Sequence, residues 1–68
     1  MEMTIQLNGE PYTTQAGLRV EQLLQVLDLR PNRVAVEINQ NVVAKRDYAQ
    51  TMINPGDRVE VINFVGGG

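Results

Sequence analysis

Cysteine, histidine and tryptophan are all absent from this sequence, and phenylalanine occurs only once. Without a thiolate or an imidazole, the chain lacks its strongest side-chain nucleophile, the commonest general base and the usual zinc ligands. Asp28, Asp47 and Asp57 are too scattered in sequence to suggest a metal site, so neither a bound metal nor a bound cofactor is expected. No disulfide can staple the fold, although a chain this small would profit from one, and a cytoplasmic setting follows. A basic excess is missing too. Six basic against eight acidic residues leave a formal charge of -2 and no footprint for nucleic acid. No apolar run reaches membrane-spanning length, and Met1-Glu2-Met3-Thr4 does not open a signal peptide.

What remains is a 68-residue chain with 43% hydrophobic residues, enough for a folded domain rather than a disordered one. A domain of this size buries only about 60% of the surface its unfolded chain exposes. Its stability should be about 3–10 kcal/mol. So small a core leaves little room for an enclosed catalytic pocket. Function through the surface or through a tail is the better expectation.

The periodicity changes along the chain. Met3, Ile5 and Leu7 alternate with polar residues, as in a half-buried strand. Asn8-Gly9 suits a type I′ hairpin turn, whose two central residues need positive φ, and predicts a return strand from about Glu10 to Thr14. Pro11 cannot donate to a ladder, which places that strand at a sheet edge. Val20, Leu23, Leu24 and Leu27 then follow the i, i+3, i+4, i+7 spacing of an amphipathic helix. Pro31 disfavours helical geometry at Arg30, so the helix is expected to end near Leu29. Arg19, at the expected N-cap, is a poor capping residue with no evident compensation.

Val34, Val36 and Ile38 mark a third strand, and Val42-Val43 a short fourth after the Asn39-Gln40-Asn41 turn. Lys45 to Gln50 reads equally as one helical turn or a loop. Asn54-Pro55-Gly56-Asp57 is a dense turn signal. The last strand, Arg58 to Val65, puts Val59 and Val61 on one face and Glu60, Ile62 and Phe64 on the other. One helix available to cover one sheet face gives an α+β two-layer fold. The β-grasp (ubiquitin-like) roll is the natural candidate, with other two-layer topologies open. The folded domain is expected over residues 1–65, with 66–68 as a flexible tail.

That tail is Gly66-Gly67-Gly68. Taken alone, three terminal glycines read as a frayed end, a linker or an expression remnant. Directly after a strand, they also suit a narrow channel in a partner, because residues without a Cβ can lie fully extended there. The Gly68 carboxylate would then be the reactive group. A free carboxylate is a poor electrophile, so a partner enzyme would convert it to an acyl-adenylate with ATP, and a sulfur nucleophile could displace AMP. The product is a C-terminal thiocarboxylate, or a thioester if the nucleophile is an enzyme cysteine. Gly66 and Gly67 serve as the steric key. If Val59 and Val61 face the helix, Ile62 and Phe64 lie on the open side as a docking patch beside the tail; otherwise they are isolated surface hydrophobes or a minor second core.

The Asn8-Gly9 hairpin, Glu37-Ile38-Asn39, Val42-Val43 followed by Lys45 and Tyr48, and above all Gly56-Asp57-Arg58-Val59-Glu60-Val61 through Phe64 to Gly68 resemble the ThiS family. These are sulfur carrier proteins of thiamine (thiazole) biosynthesis, and the resemblance covers almost the whole chain. It implies a β-grasp fold, with a mixed sheet and one main helix packed on one face. It also implies a cycle in which a ThiF-like enzyme adenylates Gly68 with ATP and magnesium. Sulfur then arrives from a donor such as a cysteine desulfurase, and the thiocarboxylate delivers it to a ThiG-like thiazole synthase. The carrier itself is no enzyme, and when free it is expected to be a monomer. Arg19, in place of a hydroxyl cap, and Ala44, where proline is frequent, depart from the family pattern. Both bear on local stability rather than on the tail.

Competing readings are the small subunit of molybdopterin synthase, a carrier serving other pathways such as tRNA thiolation, a protein modifier joined to lysines, and a non-covalent β-grasp module. An enzyme in its own right fares worst, because the side chains for catalysis are missing.

Overall fold

The computed structural model describes residues 1–64. Five strands, β1 (Glu2–Leu7), β2 (Glu10–Gln15), β3 (Val34–Ile38), β4 (Asn41–Val43) and β5 (Arg58–Asn63), form one sheet in the order β2-β1-β5-β3-β4. The helix α1 (Val20–Val26) crosses one face, and single 3-10 turns occupy Pro31–Arg33 and Lys45–Asp47. β1 and β5 pair in parallel at the centre of the sheet, and the other neighbours pair antiparallel. The sheet is mixed, the arrangement of a β-grasp roll.

Local chemistry accounts for the elements. Asn8 and Gly9 both take positive φ, 50° and 84°, the pair of values that a type I′ turn demands. β2 runs one residue beyond the expected Thr14 and lies at the sheet edge, where Pro11 deletes no internal ladder bond. Between β3 and β4 the chain reverses through Asn39 and Gln40, again both at positive φ. The ambiguous stretch after Ala44 resolves as one 3-10 turn, Lys45–Asp47. The turn after Ile53 is held by Asp57, whose carboxylate accepts from the Asn54 backbone N–H (2.8 Å) and the Asn39 side-chain amide (3.1 Å).

The helix ends earlier than Pro31 suggests. Its last helical residue is Val26, and Asp28 turns left-handed at φ 59°. The Leu29 N–H then bonds the Leu24 carbonyl at 2.8 Å, and the Asp28 N–H bonds the Gln25 carbonyl at 3.1 Å. This is a Schellman cap with aspartate where glycine is usual. Leu29 packs back against the core, which completes the motif.

The N-terminus of α1 also finds its compensation. A guanidinium has no acceptor, so the Arg19 side chain cannot cap; instead the Gln22 side-chain oxygen accepts the Arg19 N–H at 2.9 Å. The next two donors are met from a distant segment, Val20 N–H by the Thr51 carbonyl (2.9 Å) and Glu21 N–H by the Tyr48 carbonyl (3.0 Å). Ile53 N–H bonds the Leu18 carbonyl and fixes the same segment alongside.

The core lies between α1 and the sheet. Ile5, Val20, Leu23, Leu24, Val34, Val36, Ile53 and Val59 are all essentially sealed from solvent. Tyr48 closes its rim, buried, with its hydroxyl donating to the Val34 carbonyl at 3.3 Å where β4 has already left β3. Burial pushes the Tyr48 phenol above its ordinary value, with the backbone at Val36 acting more weakly in the opposite direction.

Candidate functional site

Alternation along β5 decides what the open face of the sheet presents. Val59 and Val61 point into the core, so Ile62 stands on the opposite side with 52% of its surface exposed. Phe64 is 45% exposed, and its N–H bonds the Arg33 carbonyl at 2.7 Å, which carries the β3 register one residue past the end of β5. Across the ladder Ala35 lies opposite Ile62, and on β4 the exposed Val42 lies opposite Glu37. Ile62, Ala35 and Val42 share the face that α1 does not cover, and the register leads Phe64 to it.

Glu37 and Glu60 lie directly opposite each other on this same face. Like charges in a cross-strand pair repel, so the patch has an electrostatic as well as an apolar character. Periodicity alone places each glutamate outward, but only the register brings them together.

Asn8 does more than turn the chain. Its backbone N–H bonds the Val59 carbonyl at 2.9 Å, and its side-chain amide reaches Val61. The dipeptide Asn8-Gly9 signals the turn; nothing in it signals this second contact, because the partner is 53 residues away.

Gly66, Gly67 and Gly68 lie outside the described residues, as does Val65. Among the described residues no three acidic side chains gather into a metal-binding group. Among the described residues, too, no helix is long and apolar enough to cross a membrane.

The ThiS family model matches residues 5–68, from Ile5 in β1 to the last glycine. The chain belongs to the ThiS family. The sulfur carrier protein ThiS of Escherichia coli is 33% identical over 66 residues, which cover 97% of this chain and all of that protein. The solved structure of the thiamine biosynthesis protein ThiS from Geobacter metallireducens superposes with a TM-score of 0.83 at 35% identity, covering 97% of this chain and 100% of that one. A thiazole synthase of Magnetococcus marinus is 44% identical over 66 residues, 97% of this chain but only 20% of its own length. In that relative the chain spans a fifth of the protein. Membership of the ThiS family, together with the likeness to the Escherichia coli sulfur carrier protein, supports a role in thiazole formation.

Proposed function

We propose that Gly68 is the group this carrier loads. A ThiF-like enzyme, with ATP and magnesium, lets the Gly68 carboxylate oxygen attack the α-phosphorus and release pyrophosphate. The sulfur of a persulfide, supplied by a donor such as a cysteine desulfurase, then attacks the acyl carbon and AMP leaves. Cleavage of the resulting acyl disulfide by a second thiol leaves a thiocarboxylate on Gly68, with the two thiol sulfurs joined as a disulfide. A ThiG-like thiazole synthase takes up the sulfur. Gly66 and Gly67 pass through the partners' channels because they carry no side chain. The carrier binds no cofactor, catalyses no step itself, and works in the cytoplasm as a monomer when free.

Ile62 and Phe64, with Ala35 and Val42 beside them, form the docking patch. An exposed apolar group on the strand that leads into the tail aligns the terminus with a partner's active site. The family match that runs through Gly68 carries this reading. The occurrence of a carrier-like segment within a thiazole synthase supports the ThiG-like acceptor.

Intact-mass spectrometry tests it, on the chain incubated with a ThiF-like enzyme, MgATP and a sulfur donor, beside a control lacking Gly68. Exchange of one oxygen for sulfur in the full-length chain alone is the expected result. An unchanged mass with a demonstrably active enzyme would remove Gly68 from the chemistry and favour a non-covalent interaction module.

A further inference from the structure

The parallel ladder between β1 and β5 stops early. Its last paired residues are Leu7 and Val59, because β1 reverses at Asn8-Gly9 while β5 continues towards the tail. One edge of β5 would open at Val61. Instead the Asn8 side chain fills the place of the next strand residue: its Oδ1 accepts the Val61 N–H at 2.8 Å, and its Nδ2 donates to the Val61 carbonyl at 3.3 Å. An amide is the one side-chain group that carries a donor and an acceptor in the spacing of a peptide unit. Val61 is thus bonded on the β1 side by Asn8, while its neighbour Ile62 is paired with Ala35 on the β3 side.

We infer that Asn8 is a positioning residue for the tail. It fixes the last stretch of β5 from its otherwise open edge, so that Ile62 and Phe64 present one orientation to a partner that loads Gly68. The inference rests on the reading of Gly68 as the loaded group. Ordering that stretch in advance removes an entropic cost from partner binding. Asn8 acts through the orientation of β5 and not on a reacting atom, so its loss falls on KM for the carrier rather than on kcat.

Three variants separate positioning from plain structural support. Asn8→Gly keeps a residue that accepts φ 50° but deletes the amide. Gly9→Ala strains the same turn, at φ 84°, with the amide intact. Asn8→Asp keeps an acceptor for the Val61 N–H and sets a carboxylate oxygen against the Val61 carbonyl. Each is compared with the unaltered chain by steady-state adenylation with a ThiF-like enzyme and MgATP, and by amide hydrogen exchange at Val61, at a temperature where circular dichroism shows all of them folded. Asn8→Gly is expected to raise KM about 3- to 10-fold, the range that one or two net hydrogen bonds allow, with kcat little changed and Val61 exchange accelerated. Gly9→Ala should lower the melting temperature and leave KM in place. If Asn8→Gly does not fold, Asn8→Asp carries the same expectation. Equal KM values across the series, or a Val61 exchange rate indifferent to Asn8, would overturn the inference. If the unaltered chain is not adenylated at all, the loading of Gly68 is wrong, and the positioning role falls with it; Val61 exchange still reports whether the amide clamp exists.

Discussion

Asp28 sits at the end of α1 in a conformation and a field that both disfavour it. It is exposed and at φ 59°, in the left-handed region, which costs an L-residue about 1–2 kcal/mol. Its charge stands at the negative end of the helix dipole, for about 0.3–1 kcal/mol more, and solvent exposure with a helix of seven residues keeps that value at the lower end. Replacing Asp28 with glycine removes both effects and loses about 0.5–1 kcal/mol to the greater freedom of the unfolded chain. The net gain is about 1 kcal/mol. With 68 residues and an unfolding entropy of about 2.1 cal/mol/K per residue, that gain raises the melting temperature by about 7 °C. Asp28→Asn isolates the charge, since asparagine tolerates the same φ, and should gain about 2 °C that disappears in high salt. Asp28→Ala should be less stable than Asp28→Gly. Scanning calorimetry and urea titration of the four proteins measure the series. A glycine variant no more stable than the alanine variant would refute the conformational argument, and an asparagine gain insensitive to salt would refute the electrostatic one.

Leu23 is fully sealed between α1 and the sheet, so Leu23→Ala should cost about 2–5 kcal/mol, most of the stability of a domain this size, read as a collapse of the urea midpoint. Ile62→Ala and Phe64→Ala remove exposed side chains and should leave stability within about 0.5 kcal/mol while raising KM for a ThiF-like enzyme at least about fivefold each; unchanged kinetics in both would remove the docking patch. Tyr48 governs the alkaline limit. Its folded pKa lies above the unfolded value of about 10, so its contribution is complete below pH ~10 and lost as pH rises through the higher folded value. Tyr48→Phe should therefore flatten the loss of stability above pH ~10, measured by thermal melts across pH, at a cost of about 1 kcal/mol near neutrality for the Val34 carbonyl it abandons.

What was legible in the sequence is what depends on neighbours in the sequence. The Asn8-Gly9 turn, the edge position of β2 implied by Pro11, and the outward set of Ile62 and Phe64 all follow from rules spanning a few residues, and the structure has them. The end of α1 departs from the expected Leu29 because Pro31 is the louder signal, whereas Asp28, a residue that tolerates positive φ without demanding it, turns the chain first. Arg19 has no capping side chain, and of the groups that compensate, the Gln22 side chain lies in the first turn of the helix and is the half of a capping box that the sequence does offer. The other two are carbonyls some 30 residues downstream, at Tyr48 and Thr51. The Asn8 amide and the Glu37–Glu60 pair were hidden for the same reason: each exists only through the register of β5 against a strand that local pattern cannot identify.

Those carbonyl caps from Tyr48 and Thr51 also bear on how the chain comes together. A seven-residue helix is too short to persist alone in water. Its first donors wait for a segment synthesised about thirty residues later, and the two central strands, β1 and β5, stand at opposite ends of the sequence. A nascent chain can therefore form the local β1–β2 and β3–β4 hairpins and little else until β5 has emerged. Folding is a single late event with high contact order, expected to be slow for so small a domain. A chain truncated before Tyr48 should show almost no helix at all.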